Sequence, residues 1–217
     1  RAEDQFSPRV IFAYAAVSTT LGILCGRLLF PNYAGLVGVV LVSFSQAGLV
    51  EGLLDRNANE IWNKLTTPRS ANLKLAGCLL VLFLGVFFTY LFAVQFVPYI
   101  DLKGWFDAQL GNFYGHHLTD IEFGSFGELL LAHTVVLAGC FAFAPVYRHG
   151  GMLLVLAWNA SRWGVIFSYI VRSASYYEEA NPLAYLAKTL VSILPHLIFE
   201  AIAYILVAMS GVFLSKA

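Results

Sequence analysis

Two side chains that could do chemistry, His196 and Glu200, lie near the start of the last long apolar stretch of the chain. On a helix, residues four apart share one face and lie one turn from each other, so imidazole and carboxylate would meet the same neighbours. Such a pair can hold a metal ion or pass a proton, or it can be a hydrogen-bonding pair that fixes the start of the helix. Because ionisable groups are costly inside a lipid-compatible helix, the pair is a candidate functional site.

Pro195 directly precedes this pair and predicts where its helix begins. Proline has no N–H and disfavours helix at the residue before it, so we expect the chain to kink or restart at this position. A restarted helix exposes free N–H groups and a partial positive end, near which the Glu200 carboxylate would be favourable. We therefore expect the side chains of both His196 and Glu200 to point into a helical bundle.

A second polar group interrupts the preceding apolar segment. Asn159 and Arg162 lie three residues apart, about one helical turn, and we expect both to face the bundle interior. A guanidinium at that depth needs a partner, which the later imidazole–carboxylate pair, or Glu128 and His133, could supply. The group would be either a buried site for a substrate, an ion or a lipid headgroup, or a structural tie between helices.

These observations predict one polar intramembrane cluster between the last two spans, made of Asn159, Arg162, His196 and Glu200, with Pro195 as its helix-start residue. The chain contains no His-Glu-x-x-His helix of a zinc protease, no phosphate-binding glycine loop and no nucleophile elbow. We therefore predict no catalytic residue, no metal ligand and no cofactor.

The composition indicates a membrane protein. The 217 residues are 59% hydrophobic and 12% charged, and the mean hydropathy is +0.73. Soluble domains are about 25% charged, so half that fraction favours a multi-pass membrane chain. The 13 Lys and Arg residues balance 13 Asp and Glu residues, which argues against a nucleic-acid partner attracted by net charge.

The apolar runs predict an all-α, polytopic integral membrane protein, because a bilayer core of about 30 Å needs roughly 20 apolar residues per helix. We predict a single transmembrane domain over residues 1–217 with six spans, or five if the first two form a shallow hairpin (10–54). The six are 10–30, 34–54, 75–100, 129–147, 152–171 and 195–214. Residues 55–74 are expected to form a loop with a short helix, and interfacial helices are expected in 101–126 and 183–194.

The distribution of basic residues predicts the orientation. Four cations lie in the 55–74 segment: Arg56, Lys64, Arg69 and Lys74. An even number of spans puts both termini on the same side as this segment. Since cytoplasmic loops carry the excess of Lys and Arg, both termini are predicted to be cytoplasmic, with the chain in the cell membrane.

Both polar segments resemble a known family. Residues 156–165, which contain Asn159, resemble the Asn-containing span of the stage II sporulation protein M family, particularly its archaeal members. Residues 194–200 resemble that family's Pro-His-Gly-x-x-Glu helix start, with Leu197 where the family commonly has glycine. The likeness covers residues 126–214, and it extends to the N-terminal spans only in their layout.

The resemblance implies an integral membrane protein without established enzymatic activity. The family's bacterial namesake belongs to a membrane complex that acts with a peptidoglycan hydrolase during engulfment of the forespore. We therefore expect a scaffold or subunit of a membrane complex, with the lipid bilayer and other membrane proteins or further copies of the chain as partners, and no nucleic acid. The alternatives are a transporter or channel subunit that uses the polar cluster, and an intramembrane metalloenzyme. Connected polar residues would favour transport, whereas a dry bundle with an apolar lateral face would favour a scaffold.

Overall fold

The described part of the chain is entirely helical in its regular structure. The computed structural model describes residues 7–111, 127, 131, 134–139, 141–142, 149–177 and 181–214. Six α-helices and two 3-10 turns are described over their full length, residues 134–139 and 141–142 are also helical, and the described residues contain no β-strand. The all-α fold class predicted from the apolar runs is confirmed.

The first two helices pack against each other as an antiparallel pair. Helix α1 (Pro8–Leu29) is followed by a 3-10 turn at Pro31–Tyr33 and by helix α2 (Ala34–Trp62). A side chain at Gly26 would bring its Cβ within 2.5 Å of the Ala34 carbonyl oxygen. The two backbones therefore meet at a distance that only glycine allows.

The polar stretch after the second span is mostly helix, so the predicted loop over 55–74 is wrong. Helix α2 runs well into it, and α3 (Pro68–Phe96) begins after only a short link. Glu60 supplies the reason, since its two oxygens lie 3.1 Å from Arg56 Nε and 3.3 Å from Lys74 Nζ. The first ion pair lies within α2 and the second joins α2 to the first turns of α3, and both helices continue beyond their apolar parts.

A short helix follows the third long one. A 3-10 turn at Tyr99–Asp101 leads into α4 (Leu102–Leu110), which packs against α2 and buries the side chain of Phe106. The interfacial helix predicted in 101–126 therefore has a helical counterpart at its start, while residues 112–126 lie outside the described residues. The position of α4 relative to a bilayer stays a prediction.

The last two helices are α5 (His149–Tyr177) and α6 (Pro182–Leu214), and α6 continues through Pro195. The predicted break at this proline, with a separate helix over 183–194, is therefore wrong. Pro195 lies on an exposed face of α6. A proline removes only one backbone hydrogen bond, and membrane helices tolerate it where packing on the other face holds the helix together.

Among the residues that the structure describes, five helices are long and apolar enough to cross a membrane. They are α1, α2, α3, α5 and the part of α6 from Leu194 to Phe213. Each corresponds to one of the six predicted spans. The remaining predicted span, 129–147, falls mainly on residues outside the described ones, so the count of six stays a prediction.

The backbones of α3 and α5 approach each other closely at Gly164. A Cβ there would lie 2.6 Å from the carbonyl oxygen of Phe87 and 3.0 Å from the amide nitrogen of Leu91. Near this contact the rings of Phe87 and Phe167 meet edge to face, with centroids 6.0 Å apart. Because the nearest atoms belong to the backbone, neither helix can make room for a larger residue without moving.

We predict that Gly164→Ala destabilises the protein by about 1–3 kcal/mol, the usual cost of overpacking a close contact. Thermal unfolding in detergent measures this loss. Gly48→Ala is the matched control, because a Cβ at Gly48 meets nothing within 4 Å and alanine is the better helix former. Equal stability of the two variants would show that the α3–α5 contact does not constrain the fold.

Candidate functional site

The structure separates the two polar residues of α5. Asn159 is buried, and its Nδ2 donates to the carbonyl oxygen of Val155 at 2.9 Å, within its own helix. Arg162 is exposed, so the prediction that both residues face the interior is wrong for the arginine. Residues three apart on a helix differ by about 60° around its axis, enough to cross from the buried edge to the exposed face.

The exposed face of α5 carries side chains that follow one another at intervals of one helical turn. Leu154 is exposed, Trp158 is half-buried and Arg162 is exposed. Gly164 lies about 200° further around the helix axis than Arg162, so the contact of Gly164 with α3 turns the arginine away from that helix. The rotation of α5 therefore fixes a guanidinium on the lateral surface of the described bundle.

On α6, the His196–Glu200 pair forms, but its two members face different surroundings. The His196 Nε2 lies 3.8 Å from Glu200 Oε2, with 64% of the histidine side chain exposed and 6% of the glutamate side chain. The prediction that both point into the bundle is therefore right for Glu200 and wrong for His196. The pair runs from the lateral surface into the packed interior.

Tyr204 is a member of this group that sequence reasoning missed. Its hydroxyl donates to Glu200 Oε1, and its ring is buried. The spacing of four residues after Glu200 was a usable signal, because it puts Tyr204 one turn further along the same face. The buried carboxylate thus lies between an exposed imidazole and a buried phenol.

The four predicted residues have different surroundings: Asn159 and Glu200 are buried, whereas Arg162 and His196 are exposed. Asn159 donates a hydrogen bond within α5, and Glu200 accepts one from Tyr204 within α6. A single cluster of all four residues stays a prediction. What unites Arg162 and His196 is that both side chains reach the outer surface of apolar helices.

The best-anchored cation is one that the sequence did not single out as a site residue. Arg172, near the end of α5, donates through one nitrogen to the carbonyl oxygens of Val94 (2.7 Å) and Val97. Its guanidinium lies 5.8 Å from the centroid of the Tyr99 ring. The last carbonyls of a helix have no partner within the helix and carry its partial negative end, so Arg172 caps α3.

Other polar side chains also tie neighbouring helices together. Gln46 Nε2 on α2 donates to Ser18 Oγ on α1 at 3.0 Å, and Gln95 Nε2 on α3 donates to Ser168 Oγ on α5. Hydrogen bonds between spans satisfy groups that would otherwise be stranded in a low-dielectric interior. These polar residues therefore have structural partners.

The described residues contain no group of side chains suited to binding a metal ion. Among them, no group of three or more His, Cys, Asp or Glu side chains is arranged to hold an ion. His196 and Glu200 alone supply two donors, fewer than the three protein ligands that a catalytic zinc site requires. Glu128 and His133, named from the sequence as possible partners of Arg162, lie outside the described residues.

Comparisons with known proteins returned no match: no protein-family model, no curated protein and no solved structure is similar to this chain. The resemblance to the stage II sporulation protein M family therefore rests on the residues of its two motifs.

The two arginines of α5 give a paired prediction. Arg172→Gln should destabilise the protein in detergent by about 1.5–3 kcal/mol, the value of a hydrogen bond to a charged group, because the α3 carbonyls lose their donor. Arg162→Gln should change stability by less than about 0.5 kcal/mol, as expected for an exposed residue. Thermal or denaturant unfolding compares them, and a larger loss for Arg162→Gln would contradict the assignment.

The group on α6 predicts energetic coupling between Glu200 and its neighbours. We expect Glu200→Gln and Tyr204→Phe, made singly and together, to give a coupling energy of about 0.5–3 kcal/mol in detergent unfolding, since each removes part of one hydrogen bond. His196→Ala, at the exposed end, should cost less than Tyr204→Phe. Strictly additive, near-zero effects of all three changes would exclude a coupled buried group.

Proposed function

We propose that this protein is a scaffold or subunit of a membrane complex and that it contacts its partner through the lateral face that carries Arg162. The observation behind the proposal is the exposure of this guanidinium in the middle of an apolar helix. Arg162 lies 13 residues after His149 and 12 before Ala174, the ends of that span. It is thus about 18 Å from either end of the helix.

An arginine side chain in the middle of a membrane span is energetically unfavourable when it faces lipid. The cost of a guanidinium at the bilayer centre is about 2.5–3.5 kcal/mol on insertion scales, and such residues almost always face protein or water. A carboxylate or a group of carbonyl oxygens on a neighbouring chain would remove this cost and would set the partner's depth and orientation. The adjacent Trp158 adds a large flat surface of the kind enriched in interface cores.

The interior of the described bundle supports a scaffold over a conduit. Its core consists of tightly packed apolar and aromatic side chains, with Phe83, Phe87 and Tyr90 among the largest. The side-chain amides of Gln46 and Gln95 donate to hydroxyl groups of neighbouring helices. Two apolar grooves lie between helices on the outside of the described bundle.

The resemblance to stage II sporulation protein M supports the same proposal, because membership of a membrane complex is what that family implies. Both motifs that carry the resemblance contribute a polar side chain to the lateral surface, Arg162 from one and His196 from the other. Motif residues that do not hold the fold together are the ones expected to serve a partner.

Site-specific photo-crosslinking in native membranes tests the proposal. A photoreactive residue at Trp158 should yield a discrete crosslinked species, whereas one at Leu21, exposed on α1, should yield none. Adding Arg162→Gln should weaken the Trp158 crosslink by about tenfold or more, the equivalent of at least 1.4 kcal/mol. A species of twice the chain mass identifies a second copy, and any other mass another protein.

Absence of a crosslink at Trp158, together with a monomer in native mass spectrometry, would overturn this proposal. A transporter subunit is the second candidate, favoured by the buried Glu200 carboxylate that contacts the exposed His196. Proton flux into reconstituted vesicles that Glu200→Gln abolishes would support that candidate instead.

A further inference from the structure

A groove runs along the outside of the bundle between α1 and α3. Its volume is about 500 Å³, and its walls come from one face of each helix. Phe12, Ala16 and Thr20 recur at every turn along α1, and Phe88 and Phe92 recur in the same way along α3. Trp105 of α4 lines the groove at the end that lies nearest the end of α1.

The wall of this groove is apolar even where it contains hydroxyl groups. Thr20 Oγ1 donates to the Ala16 carbonyl oxygen at 2.9 Å, and Thr89 Oγ1 donates to the Gly85 carbonyl oxygen at 2.7 Å. Both hydroxyls are thus satisfied within their own helices. A ligand of the groove needs no polar group along this wall, and hydrocarbon fits it best.

The length of the groove is close to the thickness of one leaflet of a bilayer. On α1 it extends from Phe12 to Leu24, twelve residues or roughly 18 Å of helix. Half of a hydrocarbon core of about 30 Å is about 15 Å. A single lipid chain that enters from the Trp105 end would therefore lie along the whole groove.

A cation lies at the end where a headgroup would be. Arg27, one turn after Ile23 of the groove wall, has its guanidinium 5.0 Å from the centroid of the Trp105 ring. One of its nitrogens donates to the Pro31 carbonyl oxygen at 3.1 Å. The planar guanidinium has five N–H donors, which leaves donors to bind phosphate oxygens, and tryptophan is enriched at headgroup depth.

We propose that this groove is a phospholipid-binding site: one hydrocarbon chain lies between α1 and α3, and Arg27, held against Trp105, binds the lipid phosphate. The site is separate from the lateral face proposed to bind a protein partner. It holds a lipid at a defined position against α1, α3 and α4.

Native mass spectrometry of the detergent-solubilised protein, with added phosphatidylglycerol, tests whether the groove binds the hydrocarbon chain of a lipid. The wild-type protein should retain one phospholipid per chain. Ala16→Phe fills the groove and should lower that occupancy at least tenfold. Ala13→Phe makes the same change three residues away at an exposed position and should retain the lipid. Ala93→Phe blocks the opposite wall and repeats the test if Ala16→Phe does not fold.

The proposed binding of the lipid phosphate by Arg27 is tested with diacylglycerol of the same chain length, which lacks the phosphate. The wild-type protein should prefer the phospholipid by at least fivefold, and Arg27→Gln should remove that preference while diacylglycerol still binds. Equal lipid retention by Ala16→Phe, Ala93→Phe and Ala13→Phe would overturn the site. An unchanged preference in Arg27→Gln would overturn the role of Arg27.

Discussion

The close approach of α3 and α5 at Gly164 is the constraint on which the rest of the described structure depends. With no side chain at this position, the two backbones meet, and the rotation of α5 about its axis is fixed. One and two turns further along α5, Ser168 and Arg172 then face α3, where they bind Gln95 and the last carbonyl oxygens of that helix. The same rotation turns Arg162 outward. A packing contact between uncharged atoms thus decides where the charge of this helix lies.

The lengths and positions of the helices follow largely from the apolar runs. A run of about 20 apolar residues has few alternatives to a spanning helix, because a bilayer leaves no backbone group without an internal partner. Polarity was a poor guide to where the helices end. The charged residues after Leu54 indicate a loop when read singly, yet Arg56, Glu60 and Lys74 pair across α2 and α3 and stabilise helix instead. Such pairing depends on how two segments meet, which the local sequence does not contain.

The candidate site, like the helices, could be predicted from the sequence only in part. The spacing of His196 and Glu200 correctly indicated a pair one turn apart. Which member would be buried depends on the rotation of α6 in the bundle, and no local pattern specifies that rotation. Pro195 was expected to interrupt the helix, but α6 is continuous through it. Arg172 resembled an ordinary residue at the edge of the membrane, and its partners are 75 and 78 residues away in the chain.

That separation has a consequence for the synthesis of the protein. The Val94 carbonyl oxygen at the end of α3 emerges from the ribosome 78 residues before the arginine that binds it. At about 5–20 residues per second, the interval is roughly 4–16 s. During this time the end of α3 must be hydrated or held by another molecule, because a bare carbonyl is costly in hydrocarbon. The end of α3 therefore gains the donor seen in the folded protein only after α5 has been synthesised.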